Sequence, residues 1–172
     1  MFKKITTALL LMILTSVCVY AQTSTVITAK TFQIDGKTNT VYAEGDVTLT
    51  RDDVIITAKK GSYKEKDKEV TLENDVVATQ RDLRMTCNKV IFYNKTDLIA
   101  AEGNIKVTYQ EFLGGSSYAT YDIPIRTIKF TGNPWISRGK DRLTSNTISF
   151  QLDQKKVIME GKTKAIFDKK IL

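Results

Sequence analysis

The sequence contains no histidine and only two cysteines among its 172 residues. Without histidine, the chain lacks the usual general base of serine and cysteine hydrolases and the commonest protein ligand for metals. The two cysteines do not have the spacing of a metal site. The segment Gly114-Gly115-Ser116-Ser117 lacks the Lys-Ser/Thr of a phosphate loop. We therefore expect no catalysis and no cofactor, and binding or structure becomes the expected function.

Long apolar stretches are confined to the start of the chain. Lys3 and Lys4 precede an apolar run from Ile5 to Val19, and Val19-Tyr20-Ala21 fits a small-x-small cleavage site. As a helix, the segment from Ile5 to Tyr20 would span only ~24 Å, which is shorter than the ~30 Å hydrocarbon core of a bilayer. We therefore predict a signal peptide over residues 1–21 that is cleaved after Ala21, and a single domain over residues 22–172.

Cysteine is scarce enough to exclude a disulfide framework. Cleavage would remove Cys18 and leave Cys87 as the only thiol, so no intramolecular disulfide is expected. The loss of Lys3 and Lys4 leaves 24 basic residues against 19 acidic ones, and the net charge falls from +7 to +5. A charge this mild does not indicate a nucleic-acid partner.

A repeat of 29 residues fills the rest of the chain. It divides the sequence from Thr28 onward into the blocks 28–56, 57–85, 86–114, 115–143 and 144–172 without a gap. Equivalent positions share their chemistry: the columns are Val41, Val70, Ile99, Ile128 and Val157; Ile34, Tyr63, Phe92, Tyr121 and Phe150; and Ala29, Ala58, Cys87, Ser116 and Ser145. Cys87 occupies the small column and is therefore predicted to be a buried structural residue.

Within each block the apolar residues alternate with polar ones, which is the period of a β-strand. Turn signals occur twice per repeat, for example at Asp35-Gly36-Lys37, at Arg51-Asp52-Asp53 and at Gly114-Gly115. The alternation of inward and outward residues shifts by one position near Lys59-Lys60, and this shift indicates an extra residue that makes a bulge or corner. Each repeat is therefore predicted to form two bent strands of about ten residues.

The column of acidic residues decides between two β architectures. In a parallel coil Glu44, Glu73 and Glu102 would stack ~4.8 Å apart, whereas in an antiparallel meander they lie two strands apart, at ~9.6 Å. We therefore predict an all-β fold, a bent antiparallel β-jellyroll or open roll built from five 29-residue repeats.

Another column contains Gly45, Gly103, Gly132 and Gly161, with Asn74 in the second repeat. Asparagine is the best substitute for glycine at positive φ, so the column predicts a corner with a left-handed backbone.

The motifs Val41-Tyr42-Ala43-Glu44-Gly45-Asp46-Val47, Ala101-Glu102-Gly103-Asn104-Ile105 and Thr86-Cys87-Asn88-Lys89-Val90-Ile91-Phe92 resemble lipopolysaccharide-transport proteins of the LptA/OstA type. The resemblance extends over about residues 26 to 167. It implies a slender β-jellyroll in the periplasm whose apolar interior carries the acyl chains of lipopolysaccharide. It also implies that copies or other jellyroll proteins join end to end between the two membranes.

The resemblance and the alternation together predict which side chains line the lipid groove. These side chains occupy the inward-facing positions of their predicted strands. They are Ile34, Val41, Ala43, Val47, Leu49, Ile56, Tyr63, Val70, Leu72, Met85, Val90, Phe92, Ile99, Ile105, Val107, Ile128, Phe130, Ile148 and Phe150. The same pattern also fits a sealed apolar core that binds no lipid.

The end strands are predicted to pair with another chain. A roll that does not close leaves the backbone near residues 26–30 and near residues 162–167 without partners, and such edges favour head-to-tail strand addition. Lys162, Lys164, Lys169 and Lys170 fit equally well as charges that block such pairing.

The fourth repeat departs most from the pattern. Thr131 replaces the acidic residue and Pro134 occupies a valine or isoleucine position, which argues against a continuous groove near residues 112–136. Trp135 has outward parity and could anchor a partner. Arg138, Lys140 and Arg142 follow it; these cations are expected either to be solvated or to meet lipid phosphates.

Three functions remain open at this point. The first is a periplasmic carrier or bridge that passes lipopolysaccharide, or a similar envelope lipid, toward the outer membrane. The second is a membrane-anchored, LptC-like jellyroll of the same pathway. The third is a structural envelope protein that polymerises through its strand edges and binds no lipid.

Overall fold

The structure is a computed structural model that describes residues 24–168. The predicted signal peptide, Cys18, Lys169 and Lys170 lie outside these residues. The described chain consists of strands and their turns, and none of it is helical.

Fourteen antiparallel strands form one sheet. The strands are β1 (Val26–Thr28), β2 (Thr31–Asp35), β3 (Thr40–Arg51), β4 (Val54–Lys64), β5 (Glu69–Gln80), β6 (Leu83–Tyr93), β7 (Leu98–Tyr109), β8 (Phe112–Asp122), β9 (Thr127–Thr131), β10 (Trp135–Arg138), β11 (Asp141–Thr144), β12 (Thr147–Gln151), β13 (Lys156–Glu160) and β14 (Lys164–Ile166). Six of them, β3 to β8, are continuous bent strands. The other eight form four bent strands, each interrupted at its middle, so the prediction of two bent strands per repeat is confirmed.

A bulge at the middle of every second continuous strand, in β3, β5 and β7, bends the sheet. Glu44 of β3 pairs with Lys60, but the next paired residue, Val47, lies opposite Ala58. Two residues of β3, at positions 45 and 46, therefore face the single Lys59. The extra residue predicted near Lys59-Lys60 does exist, but it belongs to the facing strand, because the left-handed backbone needed for the bulge is supplied by glycine.

Every described residue with positive φ falls on the 29-residue period. The last residue of each four-residue turn has positive φ: Asn39, Lys68, Asp97, Arg126 and Lys155. The first residue of each two-residue turn does as well: Asp52, Arg81, Gln110 and Gly139. The others form the mid-strand bulges, at the first bulge position (Gly45, Asn74, Gly103, Gly132 and Gly161) and at the second (Asp46, Asp75, Asn104 and Asn133). The predicted left-handed corner at the glycine column is confirmed. The turn columns show that the repeat also encodes both kinds of turn.

The meander separates like charges as expected. Lys60 pairs with Glu44 on one side and with Glu73 on the other, and Lys89 lies in the same way between Glu73 and Glu102. The Lys60 Nζ atom lies 3.0 Å from Glu44 Oε1, and the Lys89 Nζ atom lies 3.5 Å from Glu73 Oε1. The acidic column is therefore interleaved with lysines on the outer face, which a parallel coil would not allow.

The fourth repeat is interrupted at a single place. β8 continues through Gly114-Gly115, so the predicted turn there is wrong, and the turn lies at residues 110–111. A Cβ atom on Gly115 would lie 2.7 Å from the Trp135 Nε1 atom, which explains why glycine continues the strand. The strand that follows breaks between β9 and β10, where residues 132–134 include Pro134. Discontinuity in this repeat is therefore limited to three residues.

Both ends of the sheet are open among residues 24–168. β1 and β2 pair only with β3, whereas β13 pairs only with β12 and β14 only with β11. The two predicted edge regions are therefore the outermost strands of the described sheet.

We predict that Gly103→Ala destabilises the fold much more than Gly36→Ala. Gly103 has φ +77, and a Cβ there would lie 2.6 Å from Nδ2 of Asn88, whereas a Cβ on Gly36 meets nothing within 4 Å. The strained backbone should lower the free energy of unfolding by ~1–3 kcal/mol, measured by urea denaturation. Equal midpoints for the two variants would contradict the role assigned to the corner.

Candidate functional site

The sheet folds over along its bulges, so that its two halves face each other across an apolar interior. Phe112 and Tyr109, from the half that ends in two-residue turns, contact Phe150 of the other half, with ring centroids 5.0 and 5.8 Å apart. Tyr121, Phe92, Phe130 and Phe150 are among the fully buried side chains. The interior is therefore filled by the chain's own side chains.

Of the 19 predicted lining residues, 16 are buried in this interior: Ala43, Val47, Leu49, Ile56, Val70, Leu72, Met85, Val90, Phe92, Ile99, Ile105, Val107, Ile128, Phe130, Ile148 and Phe150. Val41 and Tyr63 are partly buried near the first edge. Ile34 is 76% exposed and is not brought into the core. It lies opposite Val41 and has inward parity, but it belongs to the edge strand β2, where no further strand covers it.

Several interior residues were not among the predicted ones. Val54, Leu83 and Phe112 are buried and lie 29 residues apart, directly after the two-residue turns. Tyr121 belongs to the aromatic column that also contains Phe92 and Phe150. The 29-residue spacing was the available signal for all four, whereas alternation within one strand becomes ambiguous next to turns and bulges.

The two long margins of the folded sheet meet along a line that we call the seam. The long-turn margin carries the turns at residues 36–39, 65–68, 94–97, 123–126 and 152–155, and the short-turn margin carries those at 52–53, 81–82, 110–111 and 139–140. Contacts across the seam join residues of different repeats, because the margins are staggered.

Arg51 forms the first contact group of the seam. Its Nε atom lies 2.7 Å from Asp97 Oδ1, and its Nη1 atom donates to Asn94 Oδ1 at 2.7 Å and to Thr25 Oγ1 at 3.1 Å. The guanidinium also lies over the Phe92 ring, 5.9 Å from its centroid. Arg51 therefore covers an interior aromatic residue while it joins the two margins.

Arg126 forms the second contact group and is only 8% exposed. Its Nη1 atom donates to Gln80 Oε1 at 3.1 Å, and its Nε atom donates to Asp153 Oδ1 at 2.7 Å. The Tyr121 hydroxyl donates to the same Gln80 oxygen. Burial raises the pKa of Tyr121 to about 12, so this hydroxyl keeps its proton at neutral pH. The group is a buried polar cluster at the border of the apolar interior.

The seam was not predicted from the sequence. Arg51 and Asp97 are 46 residues apart, and so are Gln80 and Arg126, which gives the seam the same 29-residue step as the strands. This separation of 46 residues is set by how far one margin is shifted along the other in the folded sheet. A one-dimensional pattern holds no information on that stagger.

The interior has a cavity at each end of the roll. The cavity near the last strands measures about 220 Å³ and is lined by Phe112, Ile136, Ser137, Arg138, Asp141, Leu143, Lys155, Val157 and Phe167. A smaller one, about 20 Å³, lies near the first strands and is lined by Ile27, Phe32, Val41, Ala43, Gly61, Ser62, Tyr63, Val70 and Leu72. The larger cavity is lined by both apolar and charged side chains and the smaller one mainly by apolar side chains, and both lie beside an open sheet edge.

The remaining predicted residues pack within the chain. The Trp135 ring lies under the Arg142 guanidinium, 4.2 Å from centroid to Cζ, and is half-buried. Arg138 lies 5.8 Å from the Phe112 ring, and the Lys140 Nζ atom lies 3.3 Å from Asp168 Oδ2. Cys87 is buried in the core as expected.

Residues 24–168 contain no group of three or more Cys, Asp or Glu residues placed to hold a metal ion. This described part of the chain also has no helix long and apolar enough to cross a membrane.

A single folded sheet with an apolar interior and two open edges is the architecture that the sequence resemblance implied. The profile of the family described as "LptA/(LptD N-terminal domain) LPS transport protein" matches residues 26–156. The chain belongs to this family, and a general role in lipopolysaccharide transport follows.

Among solved structures, the chain is similar to one described as the crystal structure of LptH, the LptA homologous periplasmic component of the conserved lipopolysaccharide transport device from Pseudomonas aeruginosa. The two chains share 11% sequence identity, the match covers 84% of this chain and 95% of that chain, and the TM-score is 0.38. No curated protein matches the sequence. The family assignment therefore rests on the profile.

We predict that Arg126→Met lowers the free energy of unfolding by ~1–3 kcal/mol, because the buried Gln80 side chain loses the hydrogen bond donated by Arg126. Arg84→Met is the control, since Arg84 is exposed on the outer face, and it should change stability by less than ~0.5 kcal/mol. Urea denaturation measures both. Identical urea midpoints for the two variants would mean that the Arg126 contacts contribute nothing to the stability of the folded sheet.

We predict that Cys87 reacts slowly with thiol reagents in the chain that begins at Gln22. Burial raises the pKa of the Cys87 thiol from 9.0 to about 11, so the thiolate population at pH 8 falls about 100-fold. Alkylation at pH 8 should be slow in buffer and fast in denaturant. Equal rates under the two conditions would contradict a buried structural cysteine.

Proposed function

We propose that this protein is a non-catalytic periplasmic carrier that binds the acyl chains of lipopolysaccharide, or of a similar envelope lipid, in its apolar interior. It passes the lipid toward the outer membrane as one link of a bridge. Its neighbours are other jellyroll proteins that pair with its edge strands. Residues 1–21 export the chain and are removed after Ala21.

The continuous apolar interior is the observation that supports this proposal most. Inward residues from every repeat, such as Leu49, Ile99, Phe130 and Phe150, are at most 1% exposed and line the folded sheet along its whole length. Moving a ~12-carbon acyl chain through water exposes about a dozen methylene groups at ~0.8 kcal/mol each, or roughly 10 kcal/mol. A carrier with an unbroken apolar interior removes this barrier.

Lipid entry requires the two margins of the seam to separate, because the interior is already filled. The seam is held by side-chain contacts such as those of Arg51 and Arg126, whereas the strands are held by backbone hydrogen bonds. Side-chain contacts can be replaced by water at little cost, since both partners are solvated when they part. The acyl chains then replace the contacts that the interior side chains make with each other.

We predict that a photo-cross-linking amino acid at Phe92 or Phe150 captures lipopolysaccharide in cells. The matched control is the same amino acid at Lys129, which points outward between Ile128 and Phe130. Capture at the interior positions but not at Lys129 is expected, and mass spectrometry identifies the adduct. Capture of neighbouring protein alone, at all three positions, would refute the lipid-binding interior.

A further inference from the structure

The two outer faces of the folded sheet differ in charge. On the half that ends in the long turns, the acidic column alternates with lysines. On the half that ends in the two-residue turns, the outward strand residues of the described chain include cations and no acidic residue. Asp46 and Asp75, at the bulges that border this face, already pair with lysines, and Asp82 and Glu111 lie in the turns at its margin. Acidic groups therefore border this face but do not lie on it.

The cations of this face lie close together, around two apolar side chains. Strands β6, β7, β8, β10, β11 and β14 are neighbours in that order, so the region is about 24 Å wide. Six outward residues on these strands lie in two adjacent cross-strand rows and form what we call the basic face: Arg84, Lys106, Leu113, Trp135, Arg142 and Lys164.

The four cations of the basic face are exposed and form no ion pair with any residue of the described chain. The guanidinium of Arg142 lies instead over the Trp135 ring, with its Cζ atom 4.2 Å from the ring centroid. Leu113, between the cations, is 49% exposed. The basic face thus presents positive charge and apolar surface together, and neither is satisfied within the chain.

The repeat shows that the strands form without these cations. The positions equivalent to Arg84 and Arg142 are occupied by Val26 and Ile55 earlier in the chain, and those equivalent to Lys106 and Lys164 by Thr48 and Val77. These earlier residues lie on strands of the same sheet with the same outward orientation. The positive charge is therefore a property of the later repeats and not a requirement of the fold.

Trp135 is held flat on this face by the strand beneath it. Gly115 lies opposite Trp135, and a Cβ atom on Gly115 would lie 2.7 Å from the Trp135 Nε1 atom. The equivalent positions in the other repeats are all threonine: Thr28, Thr57, Thr86 and Thr144. The glycine thus makes room for an indole ring on the outer surface, where the other repeats place a small hydroxyl side chain.

We propose that the basic face binds the surface of a bilayer that contains anionic phospholipids. Clustered lysines and arginines are attracted to anionic headgroups, and tryptophan is enriched at the boundary between headgroups and acyl chains. An acidic protein would satisfy the four charges, but the indole and the exposed Leu113 fit the layered chemistry of a bilayer surface better. The basic face points away from the apolar interior, so this binding does not depend on the carrier function.

The fluorescence of Trp135 tests the proposal, because this is the only tryptophan of the chain. The protein is titrated with vesicles of phosphatidylethanolamine and phosphatidylglycerol, and separately with vesicles of phosphatidylcholine. We expect a blue shift and protection from acrylamide with the anionic vesicles, and at least ~100-fold weaker binding to phosphatidylcholine. Salt at about 0.5 M should release the protein from the anionic vesicles, because the attraction is screened.

A pair of double variants locates the binding surface. Arg84→Gln with Lys106→Gln should weaken binding to the anionic vesicles about 25-fold, which is about 5-fold for each charge. Arg142 is left in place, because its contact with Trp135 would change the fluorescence itself. Lys129→Gln with Lys156→Gln is the matched control: it removes the same charge from exposed positions on the other outer face and should weaken binding by less than ~3-fold.

An unchanged Trp135 spectrum with anionic vesicles would overturn the proposal and would favour an acidic protein as the partner. Equal binding to both kinds of vesicle, or equal weakening by the two double variants, would overturn it as well. Lipid taken up from the vesicles while Trp135 stays unchanged would refute the basic face and leave the carrier function standing. Loss of capture at Phe92, with the fluorescence response intact, would refute the carrier function and leave the basic face standing.

Discussion

The fold depends on the bend across the middle of the sheet, where a left-handed pair of residues makes a bulge in every second strand. Without this bend the sheet would be flat and would expose one whole apolar face to water. With it, the two halves meet and bury large side chains such as Phe92, Phe130 and Phe150. The repeat places glycine at four of the five corners and asparagine at the fifth, Asn74, which are the residue types that adopt positive φ most readily.

Much of this fold could be predicted from the sequence, because each 29-residue repeat forms one pair of neighbouring strands and its pattern therefore describes that pair. Alternation identified the inward residues, the acidic column required a meander, and the positions of the edges followed. The seam could not be predicted, because contacts such as Arg51 with Asp97 depend on how far one margin slides along the other. The turn expected at Gly114-Gly115 failed for a related reason, since the Trp135 side chain that requires glycine there comes from a neighbouring strand.

The interior and the seam have opposite chemistry, and this division suits a carrier. Apolar side chains contact each other in the closed roll and would contact acyl chains in the loaded one. The interior side chains would therefore stay in apolar surroundings in both states. The polar groups of Arg51 and Arg126 stay at the border, where water can replace their partners. In the proposed carrier the apolar interior holds the lipid and the polar seam opens, and residue identity accounts for this division.

The central claim is that the interior holds lipid, and lipid extraction from the purified protein tests it most directly. Protein isolated under mild conditions from a Gram-negative host would be extracted, and the extract would be analysed by mass spectrometry. The account predicts bound lipopolysaccharide in an amount comparable to the protein, absent from an unrelated exported β protein prepared in parallel. Protein that is folded, associates end to end and carries no lipid would contradict it and would support a structural polymer instead.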